Sequence, residues 1–413
     1  MANRIDVDVL IFGAGIAGLW TLDRVVAAGY SALLLEADAI GAGQTRCAQG
    51  IIHGGVKYRA GRSKGVAGLE AMPRRWLDHV EGLLEPKLTG VKILSDAHYL
   101  WARGFFASRV VAKIARRAMS GEVVPVKGEQ RPELFRMDGF KGSVYRVAEP
   151  VIDVHSLLES LATPHLDRML RVSWPYGVSI TPGRRPRADI RLPGGEHLTL
   201  FAQRLLYTGG SGNLDLLKFS RRNTHGVTRS ALRIPMQRRP LHMIMLRGDL
   251  PPATYAHAIG GGTTPRITIT SHVDAEGRDI WYLGGALAEE GVNLTPEAHI
   301  KDTWTKIEAL LPWVDLSGVE WASFHVDRAE PRTTSNKRPD DLYAEDTGGG
   351  VIVAWPTKMA LAPLLAERVI ELLKTAGIEP QGHTANVRDL GLDPAAVGPA
   401  ITANVWDLPR QWR

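Results

Sequence analysis

The sequence predicts an α/β fold in two domains, one built on a parallel nucleotide-binding sheet and the other on an antiparallel sheet. Three observations predict it: a complete β-α-β unit at the start of the chain, two later strand-to-helix turns, and a run of short strands between them. The first unit spans Asp8 to Glu36. Val9 to Phe12 is an apolar run suited to a buried strand, and Gly13, Gly15 and Gly18 then fill the G-x-G-x-x-G spacing. The first glycine permits the tight turn, the second lets a pyrophosphate touch backbone, and the third lets helix and sheet pack closely. Ile16 and Ala17 open a helix whose N-terminus faces the anion. That helix runs to about Ala28, with Leu19, Leu22, Val25 and Val26 on one face. A second apolar strand, Ala32 to Leu35, ends in Glu36 and Ala37. A carboxylate there accepts hydrogen bonds from ribose hydroxyls and repels a 2′-phosphate, which disfavours NADP and leaves NAD and FAD open.

Length and composition bound the rest. A chain of 413 residues suggests two or three domains. With 44% hydrophobic and 23% charged residues it is ordinary for a globular protein able to bury substantial cores. No apolar run is long enough to span a bilayer, and the N-terminus enters a strand at once without a signal-peptide pattern, so a cytoplasmic protein is expected. The net charge of +6 is spread along the chain. It suits an anionic substrate or peripheral attachment to an acidic membrane, and no continuous basic face points to nucleic acid. The single cysteine, Cys47, excludes an intramolecular disulfide, and no H-x-x-x-H or other ligand spacing predicts a metal.

After Glu36 the chain enters a glycine-rich, weakly periodic run, Gly41 to Tyr58, GAGQTRCAQGIIHGGVKY, suited to lie along an extended ligand. This run resembles the FAD loop of the D-amino-acid-oxidase (DAO) superfamily. IHGGVKY in particular is similar to the IHGG-(L/V)-(R/K)-Y run of flavin-dependent glycerol-3-phosphate dehydrogenases. The resemblance implies FAD as cofactor, with Gln44, Thr45 and Arg46 along it, His53, Gly54 and Gly55 beside the flavin, and Lys57 and Tyr58 facing the substrate. It implies a Rossmann-like FAD-binding domain at 1–88, 147–228 and 327–375, a substrate domain at 89–146 and 229–326, and a C-terminal tail at 376–413. Non-covalent binding is the default, although His53 and Cys47 lie where related oxidases link their flavin.

The later segments follow the superfamily's order. Lys64 to Leu84 reads helical, Val91 to Ala102 as a strand, and Glu149 to Ala162 as a turn and an amphipathic helix with Leu157, Leu158 and Leu161 inward. Arg204 to Leu217 gives a strand, a glycine turn at Gly209, Gly210 and Gly212, and a helix start that closes over the dinucleotide. Ser211 does not complete a G-x-S-x-G elbow. Strands are expected at Leu241–Leu246, Arg266–Ser271 and Ile280–Leu283, and a helix at Glu297–Leu311 whose Ile300, Trp304, Ile307 and Leu311 read as core. Val351 to Ala354 reads as a strand followed by WPTKM and a helix, similar to the superfamily's last flavin motif. Thr357, Lys358 and Met359 would then meet the flavin edge that gains negative charge on reduction, where helix amides stabilise an anion.

The chemistry implied is hydride transfer from a CH–OH carbon of a small anionic alcohol or hydroxy acid to flavin N5, with a base to take the hydroxyl proton. His242 is the candidate base, because histidine titrates near neutrality and occupies the corresponding strand in glycerol-3-phosphate dehydrogenases. His257, His272 and His325 have less to support them. The superfamily's substrate-binding G-(L/V)-R-P arginine appears only in the altered form DRAEPR, where Arg328 is favoured over Arg332 for holding the anion with Lys57 and Tyr58. The alternatives are oxidation of an amine or amino acid on the same fold, a nicotinamide enzyme, or a non-catalytic flavin-binding module. Oxygen, a quinone and an electron-transfer protein all remain open as electron acceptor.

Overall fold

The computed structural model describes residues 3–55, 68–103, 123–222, 234–259, 264–333, 339, 341–382 and 385–413. Two eight-stranded sheets organise them. In the first sheet, the spine runs Tyr343–Asp346, Val351–Trp355, His197–Tyr207, Asn3–Phe12, Ala32–Glu36 and Met169–Arg171. All neighbours on that spine are parallel except the first pair. Parallel strands need both faces covered. Helices Ile16–Ala27, Val154–Ala162 and Ala362–Thr375 cover one face, and their inward residues Leu19, Leu22, Leu157, Leu365 and Val369 are all fully buried with Val9, Ile11 and Leu34. Burial on that scale contributes about 1.5–3 kcal/mol per large side chain. The other face packs on the antiparallel strands Val178–Thr181 and Arg187–Arg191.

The base of the first strand carries a buried carboxylate, Asp8, which accepts from the Ser31 amide at 2.8 Å, its hydroxyl at 3.0 Å and Gln203 Nε2 at 2.6 Å. Those bonds satisfy the group, as a buried anion requires. They also fix the turn before Ala32 against the strand that ends at Tyr207.

The second sheet is ordered Glu320–Pro331, Met236–Arg247, Asp279–Gly284, Ile267–Val273, Tyr255–Ala258, His98–Arg103, Gly142–Val147 and Val123–Val126. Every pair is antiparallel except Tyr255–Ala258 with His98–Arg103. Strand Glu320–Pro331 pairs with Met236–Arg247 through twelve registered residues up to Pro331, so the expected domain boundary after residue 326 falls inside this strand. The expected strand Val91–Ala102 is also divided: Ile93–Ser95 pairs with Val151–Ile152 in a separate small ladder, and only His98–Arg103 joins the main sheet. Ser95 and Ala97 form a local side-chain turn at the break. Helix Pro296–Leu310, N-capped by Thr295, covers one face of this sheet with Ile307 against Ile244, Leu246, Trp281 and Leu283.

The last residues run across both domains. Ile401 bridges Ile40, and Thr402 meets Arg46 and His155 in the nucleotide domain. Trp406 then stacks on His272, Arg247 lies over Trp412, and Arg413 exchanges two backbone hydrogen bonds with Trp321 in the second sheet.

Candidate active site and cofactor cavity

A cavity lies at the carboxyl ends of the parallel strands, where open α/β sheets bind ligands. It is lined by Gly13, Gly15, Ile16 and Ala17 from the first turn, by Glu36 and Ala37, by Gly41 to Thr45, by Thr208 to Gly212, and by Ala354 to Met359. The first glycine turn and the Lys358 segment therefore meet around one space.

The walls fit a dinucleotide. Gly13 has a φ of +105°, and a Cβ there would stand 2.7 Å from the Gly209 Cα. A Cβ on Gly18 would lie 1.9 Å from the Gly13 carbonyl, so these two glycines let the turn, the helix and the Gly209 segment approach. At Gly43, Gly210 and Gly212, all lining the cavity, an added Cβ would meet nothing within 4 Å, which leaves backbone open to a ligand. No side chain caps the helix at Gly15, while the Ile16 amide donates to Thr45 Oγ1 at 3.0 Å. Glu36 is held by the Ala14 amide at 2.6 Å and by those of Ala37 and Asp38, which presents its carboxylate at the place a ribose needs. At the far wall Thr357 has a φ of +57°, unusual for a β-branched residue. Its hydroxyl donates to the Asp341 carbonyl at 3.0 Å, and Lys358 beside it is buried. Strain of this kind persists where surrounding structure over-determines it, commonly at ligand sites.

Several predicted residues lie elsewhere. Gly18 acts beneath the turn and not on the cavity wall. Arg46 leaves the cavity and donates to Thr402 Oγ1 at 2.8 Å. Lys57 and Tyr58 lie outside the described residues. Arg328 pairs with Glu289 at 2.8 Å, and Arg332 is exposed. Glu330, the residue before Pro331, is buried and paired with Arg239 and Gln237.

His242 is corrected from a candidate base to an interior histidine. It is fully buried, Nδ1 meets the Gly291 carbonyl and Nε2 meets Ser323 Oγ, each at 2.9 Å. Its ring stacks on His325 at 3.9 Å and lies 4.4 Å from His299, whose Nε2 donates to the His242 carbonyl. Burial holds the imidazoles of His242 and His299 below the usual range. Successive strand residues alternate faces, so His242 turns toward helix Pro296–Leu310 while Met243 turns toward Gln49 of the flavin loop. Burial also lowers His272, to about 4, and raises the Cys47 thiol to about 11.

The loop face of the second sheet carries a different group. His53 Nδ1 lies 2.9 Å from Glu149 Oε2, and the Gly54 amide donates to Glu149 Oε1 at 2.7 Å. His98 Nδ1 lies 3.5 Å from the same carboxylate, and His257 Nδ1 lies 2.7 Å from Thr268 Oγ1. The three rings converge, with His98 and His257 centroids 4.7 Å apart and His53 5.7 and 5.8 Å from them. In the sequence Glu149 stands only at the start of a turn, and His98 only within a strand. His53 and His98 lie 96 and 51 residues before Glu149, which hides the grouping from any local motif. The cavity residues Val172 and Trp174 were also missed; the signal for them is topological, since they follow the strand Met169–Arg171 that pairs beside Glu36.

A parallel sheet that presents a glycine turn, an acid at the end of its second strand and a closing strand-to-helix segment around one cavity, beside an antiparallel sheet, is the architecture of a two-domain dinucleotide-dependent oxidoreductase. The comparisons with known proteins specify the class. Residues 8–168 match the DAO family, described as FAD dependent oxidoreductase. The chain is 40% identical over 393 residues to a Pseudomonas aeruginosa protein named probable FAD-dependent oxidoreductase PA4991, covering 93% of this chain and 95% of that one. The crystal structure of PA4991 superposes with a TM-score of 0.78 at 38% identity, over 98% of this chain and 99% of that one. The chain belongs to the DAO superfamily of FAD-dependent oxidoreductases, and its cofactor is FAD. Glycine oxidase from Geobacillus kaustophilus shares the fold at 16% identity and a TM-score of 0.60, over 92% of this chain and 100% of its own. So does FAD-bound L-α-glycerophosphate oxidase from Mycoplasma pneumoniae, at 11% identity and 0.58, over 90% and 95%. Among the described residues no helix is long and apolar enough to cross a membrane.

Proposed function

We propose that this oxidoreductase removes hydride from the CH–OH carbon of a small anionic alcohol or hydroxy acid. The observation that carries the reading is the Glu149–His53 pair beside Gly54 and Gly55. A carboxylate that accepts from Nδ1 fixes the ring in the tautomer whose Nε2 holds the lone pair. An imidazole so held takes a hydroxyl proton as hydride departs, which an alcohol needs because its O–H does not ionise in water near neutrality. An amine loses its proton to solvent beforehand and has less use for a fixed base.

FAD, when bound, supplies the hydride acceptor. The chain's own residues do the rest. The Gly15 helix end and the Gly209–Gly212 turn would hold the pyrophosphate and Glu36 the ribose, with Gln44 and Thr45 along the same cavity wall. Thr357, Lys358 and Met359 line the cavity wall where they would offer backbone amides and a cation to the flavin edge that gains charge on reduction. His53 accepts the proton, and the face bearing Tyr255, His257 and Thr268 bounds the substrate. Lys57 and Tyr58 remain the candidates to hold the substrate anion.

The test is anaerobic bleaching of the flavin by hydroxy acids, sugar phosphates and amines compared at equal concentration. Bleaching by a hydroxylated anion that is lost in His53→Ala supports the reading. Bleaching by amines alone, unaffected by that substitution, replaces it with amine oxidation.

A further inference from the structure

We propose that His53, His98 and His257 form a binding site for one divalent transition-metal ion, of the zinc or cobalt(II) class. One ring nitrogen from each lies within 4.8 Å of the others. Nitrogens bound to a tetrahedral zinc at about 2.0–2.1 Å stand roughly 3.3 Å apart, so the rings need to close by no more than about 1.5 Å. Small side-chain rotations cover that distance.

The outer contacts point the same way. A metal-ligating histidine uses its second ring nitrogen to donate to a carboxylate, hydroxyl or carbonyl, which fixes the tautomer and raises the basicity of the ligating nitrogen. His53 meets Glu149 in this way and His257 meets Thr268 Oγ1. His98 lies against the same carboxylate. Charge supplies a third argument. Glu149 is only 3% exposed, and its partners among the described residues are the Gly54 amide and the imidazoles of His53 and His98. A buried carboxylate calls for nearby positive charge, and a divalent ion seated among three neutral imidazoles provides it. The sides of the site are unequal. His98 and His257 are 1% exposed and His53 is 23% exposed, so ion and fourth ligand enter from the His53 side. Three imidazoles with one open position suit zinc, cobalt(II) or nickel(II) and not the hard, oxygen-seeking magnesium and calcium.

The binding claim stands apart from the catalytic reading; only its effect on turnover rests on that reading. A metal on the lone-pair nitrogen of His53 takes that nitrogen out of proton transfer, so zinc is expected to slow flavin reduction by substrate.

The experiment titrates the chelator-treated holoenzyme with cobalt(II) and follows its ligand-field bands, which lie to the red of flavin absorption. One cobalt per chain is expected, displaced by zinc. His98→Gln and His257→Gln, each checked for a retained flavin spectrum, should weaken binding by at least about tenfold, and Glu149→Gln by roughly 10–100-fold. His242→Gln should leave the affinity unchanged. Absence of stoichiometric cobalt binding, or binding indifferent to both His98→Gln and His257→Gln, overturns the site. Cobalt that binds as expected while flavin reduction keeps its full rate leaves the metal site standing and removes His53 as the base.

Discussion

Two groups of three histidines occupy opposite faces of one sheet, and their chemistry diverges. In the His242, His299 and His325 group, His242 is occupied on both nitrogens by a carbonyl and a hydroxyl, and a helix seals the face. In the His53, His98 and His257 group, a buried carboxylate and a threonine hold the outer nitrogens, and the rings converge beside the flavin loop. The residue type is the same. What separates them is which face the strand register gives them and whether the second nitrogen is held by an anion or spent on structure.

The sharpest way to break the comparison is to remove one member of each group. His53→Ala is expected to lower the rate of anaerobic flavin reduction by about 10²–10⁴-fold, the usual contribution of a positioned acid or base, in protein whose flavin spectrum shows it folded. An undiminished rate would put both groups in the structural class. His242→Ala should do the reverse. It strands the Gly291 carbonyl and the Ser323 hydroxyl, which costs about 1–3 kcal/mol in denaturant unfolding while the folded enzyme keeps its turnover.

Acid supplies a weaker lever, on buried histidines of both faces. Burial places His272 at about 4 when folded, against about 6.5 in the unfolded chain, and lowers His242 and His299 in the same direction. The unfolded chain binds protons that the native protein refuses, so this stability is present above about pH 6.5 and is lost as pH falls toward 4. For His272 alone the loss reaches about 3 kcal/mol. His272→Asn should flatten the profile of melting temperature against pH in that window. The smallest effect concerns Cys47, on the loop itself. With its thiol pushed up to about 11, alkylation of the native protein at pH 8 should run at least about tenfold slower than after denaturation.

Most of the nucleotide half was legible because its chemistry is local. The spacing of Gly13, Gly15 and Gly18, the acid at Glu36 and the turn at Gly209 each lie within a few residues of the strand that needs them, and backbone approach tolerates nothing larger. The substrate half was legible as strands and a helix but not as a site. Whether His242 or Met243 faces the loop depends on register across Met236–Arg247 and Glu320–Pro331, and alternation along one strand does not say which face is which. Arg328 in DRAEPR resembles the superfamily's anion-binding arginine only in altered form, and Glu289 from a neighbouring helix pairs with it. The Glu149 grouping draws on three strands and two loops, and no spacing along the chain encodes it.

The final stretch of chain, fastened to Ile40 and Arg46 at one end and to Trp321 at the other, acts as a clasp between the two lobes. Parting them like a hinge would tear that clasp away, so the contacts it makes oppose a hinge opening of the two lobes. Heating should accordingly melt both lobes as a single cooperative unit, and severing the clasp near Gly398 should split that unit into two.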